Sequence, residues 1–248
     1  MDFILSEKVI VPFIATIGAS LTIIFLQFYA RRIKETKQKI YAATYMSDVA
    51  MRITQSELII LRHTIIPHIK AVEKMLAGDE ELLKQTFISN EFDILTAPPL
   101  EYNHLPNEYS LEVGYDNMQL VQMYEVLLYT HKNDTNQRSL NAFVKDNLKS
   151  IRTFASKSDE ERKDILCTYY DYLKSLEHES NRMLHFTTYR FFPELKQYLK
   201  SYRFWLYSIK GGKNTILSAM RSLNENSDLV PDYDYMEKVR HGGIQHEL

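Results

Sequence analysis

Glycine is scarce in this chain, 7 residues in 248, and cysteine and tryptophan occur once each. No Gly-x-Gly loop is present, which argues against the nucleotide-binding folds that bring backbone up to phosphate. The Lys210-Gly211-Gly212-Lys213-Asn214-Thr215 stretch has Leu206 where the first glycine of a phosphate-binding loop belongs, and a helical pattern rather than a strand precedes it. The lone Cys167 excludes an intrachain disulfide framework and a thiolate metal cluster, in keeping with a reducing cytoplasm. Its setting, Ile-Leu-Cys-Thr-Tyr-Tyr, predicts a small buried hydrophobe rather than a reactive thiol. Net charge is also small, formally −2, so no global electrostatic pull toward nucleic acid or acidic lipid exists and any such attraction is local. Internal repeats and low-complexity tracts are absent.

The most consequential absence is local. Residues Val9–Tyr29 contain no charge, and those 21 residues span about 31 Å as a helix, close to the ~30 Å hydrocarbon core of a bilayer. Pro12 falls in the first turn, and Thr16, Ser20 and Thr22 can return their hydroxyls to helical carbonyls. Asp2 and Glu7 before the run, and the run's length, fit an uncleaved anchor better than a signal peptide. Arg31, Arg32, Lys34, Lys37 and Lys39 follow at once with a single acid, Glu35, so the positive-inside rule places the N-terminus outside and residues 31–248 in the cytoplasm. The expected address is the inner (plasma) membrane, crossed once. Ala15, Gly18, Ala19 and Thr22 form overlapping small-xxx-small pairs through which two anchors could approach closely.

What remains is patterned as helix. The reading is all-α: one N-terminal transmembrane helix continuing as a stalk, then a cytoplasmic antiparallel helical bundle with one long proline-rich loop. Its parts are the anchor at 1–30, a basic stalk at 31–57, the bundle at 58–223 with a loop at 90–115, and a loosely held tail at 224–248. The apolar stripe through Met46, Val49 and Ile53 shifts to Leu58, Leu61, Ile65, Ile69, Val72 and Leu76, with a kink expected at Pro67 and an end at Gly78. A short helix is expected over residues 79–88. Further helices are expected from Asn117 to His131, and from an Asp134 cap through Phe154. Another opens at a Ser158–Glu161 capping box and is ended or bent by Pro193. Leu195, Leu199, Tyr202, Leu206 and Ile209 continue as a 4-3-4-3 seam, and a last helix fits residues 215–223.

The densest chemical feature is basic and aromatic. Arg190, Lys196, Lys200, Arg203, Lys210 and Lys213 accompany Tyr198, Phe204, Trp205 and Tyr207, a combination that could track phosphates and stack bases of single-stranded nucleic acid. The same spacing also makes an ordinary core helix whose lysine stems cover apolar neighbours. His178 and His185, seven apart with Arg182 between them, are expected on a polar helix surface, and Glu57 at a solvent-facing position. No metal site, cofactor or catalytic residue is assigned. In layout the chain resembles bacterial membrane-associated proteins of regulation and phage exclusion, without a shared motif. The function expected is a non-enzymatic, membrane-anchored interaction or scaffold protein with a protein partner or a second copy. A membrane-tethered binder of single-stranded nucleic acid through residues 189–213 is the alternative.

Overall fold

The computed structural model describes residues 7–89, 92, 107–132, 135–202, 232 and 234, and within these the side chains of 7–15, 107–109, 112, 132 and 135 are outside the description. Every regular element among them is helical. The first, α1 (Glu7–Ile60), is a single 54-residue helix about 80 Å long, so the apolar run and the stalk share one uninterrupted rod. It passes through a π turn, Leu61–Ile65, into α2 (Ile66–Leu76). The kink expected at Pro67 takes this form: Pro67 sits in the first turn of α2, and the wider turn before it accommodates the missing N–H and the ring.

Gly78 ends the rod as expected. It has φ +102°, a conformation that favours glycine, and its N–H donates to the Met75 carbonyl while that of Asp79 donates to Lys74. Asp79 then caps the next helix, α3 (Glu80–Ile88), through an Oδ1 that accepts from the Leu82 N–H at 2.9 Å. The chain next appears in Phe92, packed on Phe87 and Tyr169, and then in α4 (Asn107–Lys132). The loop expected at 90–115 is therefore too long at its far end, since residues 107–115 are helical. Val113 is fully buried there, and its burial outweighs the weak local periodicity that suggested a loop. The start expected at Asn117 is real: its φ of −152° breaks α4, and its Oδ1 accepts from the Leu120 N–H at 3.0 Å as an N-cap.

The expected helix through Phe154 is two, α5 (Thr135–Asn147) and α6 (Ile151–Ala155), parted at Ser150 by extended backbone; Asp134 lies outside the described residues. Leu148 and Phe154 are buried, whereas Phe143 is half-buried and Ile151 exposed. The capping box is present as expected: Ser158 N–H donates to Glu161 at 2.8 Å, and its hydroxyl accepts from the Glu161 N–H at 3.3 Å, opening α7 (Asp159–Phe186). Pro193 does not end this rod. A second π turn, Thr187–Phe191, carries α7 into α8 (Phe192–Lys200), again with the proline in the first turn of the new helix. Leu195 and Leu199 are buried and Tyr202 half-buried, while Leu206, Ile209, the helix expected at 215–223 and nearly all of the tail lie outside the described residues.

Three ties fix how the rods run. Tyr170 OH donates to Glu73 at 3.0 Å, Ser180 Oγ to Glu57 at 2.8 Å, and Tyr202 OH to Asp116, whose carboxylate also takes Lys39 at 2.8 Å. Rising numbers on α7–α8 meet falling numbers on α1–α2, so these two rods are antiparallel. By contrast, Lys39 pairs with Asp116 and Glu57 with His131, so α4 runs parallel to α1. The expected all-antiparallel bundle is corrected accordingly: between Phe92 and Asp116 the chain crosses the length of the body, a task that requires a long connection. Inside, Ala42, Ala43, Met46, Ser47, Ala50, Ile53 and Thr54 are buried along α1, and the small ones let α4, α7 and α8 close around it.

Leu173 is fully buried in the α7 face of this core. Leu173→Ala should cost about 2–5 kcal/mol in chemical denaturation of the purified chain, while Ile151→Ala on the surface should stay within about 0.5 kcal/mol.

Candidate functional site

Two features stand apart from the core packing: the free half of α1, and the polar joint where that half meets the bundle. Residues 16–32 are all exposed. They include Ile17, Leu21, Ile23, Ile24, Phe25, Leu26, Phe28 and Tyr29, and at about 100° per residue the run from Ile23 to Leu26 alone points to every side of the helix. The polar atoms between them turn inward, Ser20 Oγ donating to the Thr16 carbonyl at 2.9 Å and Thr22 Oγ1 to that of Gly18 at 2.8 Å. Among the described residues no helix is long and apolar enough to cross a membrane. The described side chains begin at Thr16, and so take in only the last fourteen residues of the uncharged run.

The basic residues after Tyr29 divide into two groups. Arg31, Arg32, Lys34 and Lys37 are exposed, Arg31 also pairing with Glu35 at 2.8 Å. Lys39 instead turns to Asp116, with only 17% of its side chain exposed. Burial pushes the Asp116 carboxyl up, but hydrogen bonds from Lys39, Tyr202 and Tyr198 and the lysine charge outweigh it, and the group sits below its ordinary value. Tyr198 moves the other way: burial pushes its phenol well up, helped by Tyr202 and Asp116. Next to them Asn117 Nδ2 donates to Glu194 at 2.6 Å, so α1, α4 and α8 are knotted together where the exposed half of α1 begins.

Of the expected basic aromatic site, Lys196 and Lys200 are exposed and Arg190 is half-buried. The aromatics Phe191, Phe192 and Tyr198 are buried, so on the described part the cations face water and the rings face the core. Arg203, Trp205, Lys210 and Lys213 lie outside the described residues. On the expected anchor face Gly18, Ala19 and Thr22 are exposed, with open space where a Gly18 Cβ would stand; the Ala15 side chain lies outside the description.

Three expectations fail on burial. His185 is buried against Tyr189, ring centroids 5.0 Å apart, so it does not share an exposed polar face with His178 and Arg182. Cys167 is half-buried rather than buried. Glu57 is not solvent-facing: 16% of its side chain is exposed, Ser180 donates to one oxygen, and His131 Nδ1 lies 3.5 Å from the other. Its position beside an apolar stripe was the available signal, but partners 74 and 123 residues away carry no local mark. A serine relay needs imidazole between hydroxyl and carboxylate, whereas here the carboxylate is central, which makes this trio a tie among α1, α4 and α7. Among the described residues no group of three or more His, Cys, Asp or Glu side chains could hold a metal.

Comparison with models of protein families, with curated proteins and with solved structures finds no match.

Because the Asp116 carboxyl is held below its ordinary value, its contribution to stability is present above about pH 4 and is lost as pH falls through the lowered folded-state value. Asp116→Asn should therefore lower the melting temperature at neutral pH, and its deficit against wild type should shrink in melting curves taken progressively below about pH 4. A deficit independent of pH would assign Asp116 a packing role only.

Proposed function

We propose that the chain is a single-pass membrane protein whose free α1 half lies in the bilayer, holding a non-enzymatic helical interaction body at the cytoplasmic face of the inner membrane. One observation carries this reading: α1 from Thr16 to Tyr29 is uncharged and exposed, with large apolar side chains pointing to every side over its last turns, whereas the same helix is enclosed by protein from Ile40 onward. A helix apolar all round needs an apolar surrounding. Eight large apolar side chains left in water would cost on the order of 10 kcal/mol at roughly 1.5–3 kcal/mol each, comparable to the whole stability of a domain. The inward-turned hydroxyls of Ser20 and Thr22 suit a medium without hydrogen-bonding solvent. Arg31, Arg32, Lys34 and Lys37 stand exposed directly after the run, which supports a cytoplasmic body by the positive-inside rule.

The described body is built of helices, several of them long. A scaffold or regulatory partner of other proteins is the role that fits such a shape.

The chain should resist alkaline carbonate extraction from membranes. A reporter after Leu248 should read as cytoplasmic, and Ser6→Cys should be labelled from outside intact cells. Carbonate release would overturn the anchor, and a reporter on the far side would overturn the orientation. Neutralising Arg31, Arg32, Lys34 and Lys37 together should scramble orientation without releasing the chain.

A further inference from the structure

Between the end of the uncharged run at Tyr29 and the enclosed core at Ile40, α1 carries five cations, and the acids nearest to them are already taken. Glu35 pairs with Arg31 at 2.8 Å, Asp116 with Lys39 at 2.8 Å, and farther along the rod Asp48 with Arg52 at 2.9 Å. Arg32, Lys34 and Lys37 are exposed and have no ion pair among the described residues. At about 100° per residue Lys34 and Lys37 lie about 60° apart, on the side of α1 that stays open as the bundle closes. Tyr41, between them in angle, is 55% exposed, whereas Ile33, Glu35, Thr36, Gln38 and Lys39 around the rest of the helix are half-buried. Two cations three residues apart stand about 5–6 Å from each other at Cβ and repel, and no described acid neutralises them.

Their height on the rod identifies the ligand. Lys34 stands five residues, or about 7.5 Å, beyond Tyr29, and Lys37 eight residues, or about 12 Å. A bilayer with ~30 Å of hydrocarbon and a whole thickness of about 40–45 Å has a headgroup layer of roughly 5–8 Å on each side. Arg31 and Arg32 therefore stand inside the phosphate layer and Lys34 at its outer edge, while Lys37 stays within a Debye length of about 8 Å of it. Lysine stems lie along the helix and carry the ammonium back toward the phosphates. A nucleic acid is a poorer occupant, because a polyanion at this height would have to displace lipid phosphates of its own charge.

We propose that the open side of α1 at Lys34 and Lys37, with Arg31 and Arg32 nearer the run, binds the phosphates of anionic phospholipids and gathers acidic lipid where the body meets the bilayer. This rests on the single-pass placement proposed above. The test uses the full chain reconstituted in phosphatidylcholine vesicles that hold a trace of spin-labelled phosphatidylglycerol or spin-labelled phosphatidylcholine in both leaflets, so the direction of insertion does not matter. The motionally restricted fraction of each probe gives its relative association with the protein. In about 0.05 M salt the anionic probe should be preferred by about fivefold or more, the effect of one cation or more at an anionic surface, and the preference should shrink in about 0.5 M salt. Lys34→Gln/Lys37→Gln should lower it about threefold or more, and Lys34→Arg/Lys37→Arg should keep it. Arg52→Gln/Lys70→Gln, which removes the same charge from exposed positions farther along the chain, should leave it unchanged. Equal association of the two probes with the native chain would overturn the proposal, as would a preference that survives in Lys34→Gln/Lys37→Gln or falls as far in Arg52→Gln/Lys70→Gln. A preference lost only in Arg203→Gln/Lys210→Gln/Lys213→Gln would move the lipid contact to that later cluster and overturn it too. Loss of the preference in millimolar inorganic phosphate at constant ionic strength would assign the cations to a soluble phosphate instead of a lipid. Release of the chain from these vesicles by alkaline carbonate would overturn this inference together with the anchor, whereas an integral chain that shows no preference overturns this inference alone.

Discussion

Everything in this molecule hangs on the continuity of α1. A 54-residue helix without a break satisfies its own backbone along its whole length, so it can pass from an exposed apolar segment to an enclosed core segment without leaving a carbonyl or amide stranded at the change. What changes along it is only the side chains: uncharged and exposed from Thr16 to Tyr29, basic through Lys39, then alternating large and small from Ile40. Ala43, Ser47, Ala50 and Thr54, spaced 4-3-4 and buried, keep the axis of α1 close to its neighbours, and the bundle assembles around that narrow waist. Because the rod is stiff, the angle and rotation of the free half are set by packing thirty residues away.

The second organising device is the pair of proline-linked π turns. Each of the two long antiparallel rods meets a proline, Pro67 or Pro193, and each continues through it after one wide turn. Both rods thereby stay long enough to share three cross-ties, at Lys39–Asp116–Tyr202, at Glu57–Ser180 and at Glu73–Tyr170. Polar ties of this kind contribute only about 0.5–1.5 kcal/mol each, against 2–5 kcal/mol for a buried leucine, so the core supplies stability and the ties select the register. A slide of one helical turn would keep apolar contact along the rods but would set Glu57 opposite carbon instead of Ser180 and His131. An unpaired buried acid is costly, and that cost is what fixes the alignment.

Helical class, the Gly78 terminus, the capping box at Ser158 and the start at Asn117 were all legible, because each rests on residues within a few positions of one another, whereas the body begins at Ile40, inside the segment read as a stalk over 31–57. The misreadings share an opposite property. Residues 107–115 form a helix through the burial of Val113, Glu57 turns inward because partners from two distant helices wait there, and α4 runs parallel to α1 because of a connection whose path no local pattern encodes. Pro193 left an end and a bend both open for a different reason: it breaks the ordinary hydrogen-bond ladder, but a π turn restores helical continuity at the cost of one wider ring, and composition does not distinguish that outcome from an end. The basic collar was legible as a count and not as a set, since only the fold diverts Lys39 from the exposed group to Asp116.

That diversion points to how charge is distributed in a chain whose sum is nearly zero. The formal net of −2 conceals blocks: five cations and one acid between Arg31 and Lys39, four acids and no lysine or arginine between Asn107 and Thr130, and four cations and no acid between Arg203 and Leu223. Evenly mixed charges of the same total would exert no directed force beyond a Debye length of about 8 Å, whereas blocks of this size attract their opposites and repel their likes across the body. Lys39 with Asp116 is the point where the first two blocks touch, and Tyr202, bonded to the same carboxylate, brings the start of the third to that place. One aspartate on α4 thus joins Lys39 to Tyr202, and the hydrogen bonds from Lys39, Tyr202 and Tyr198 together with the lysine charge hold its carboxyl below the usual range despite partial burial.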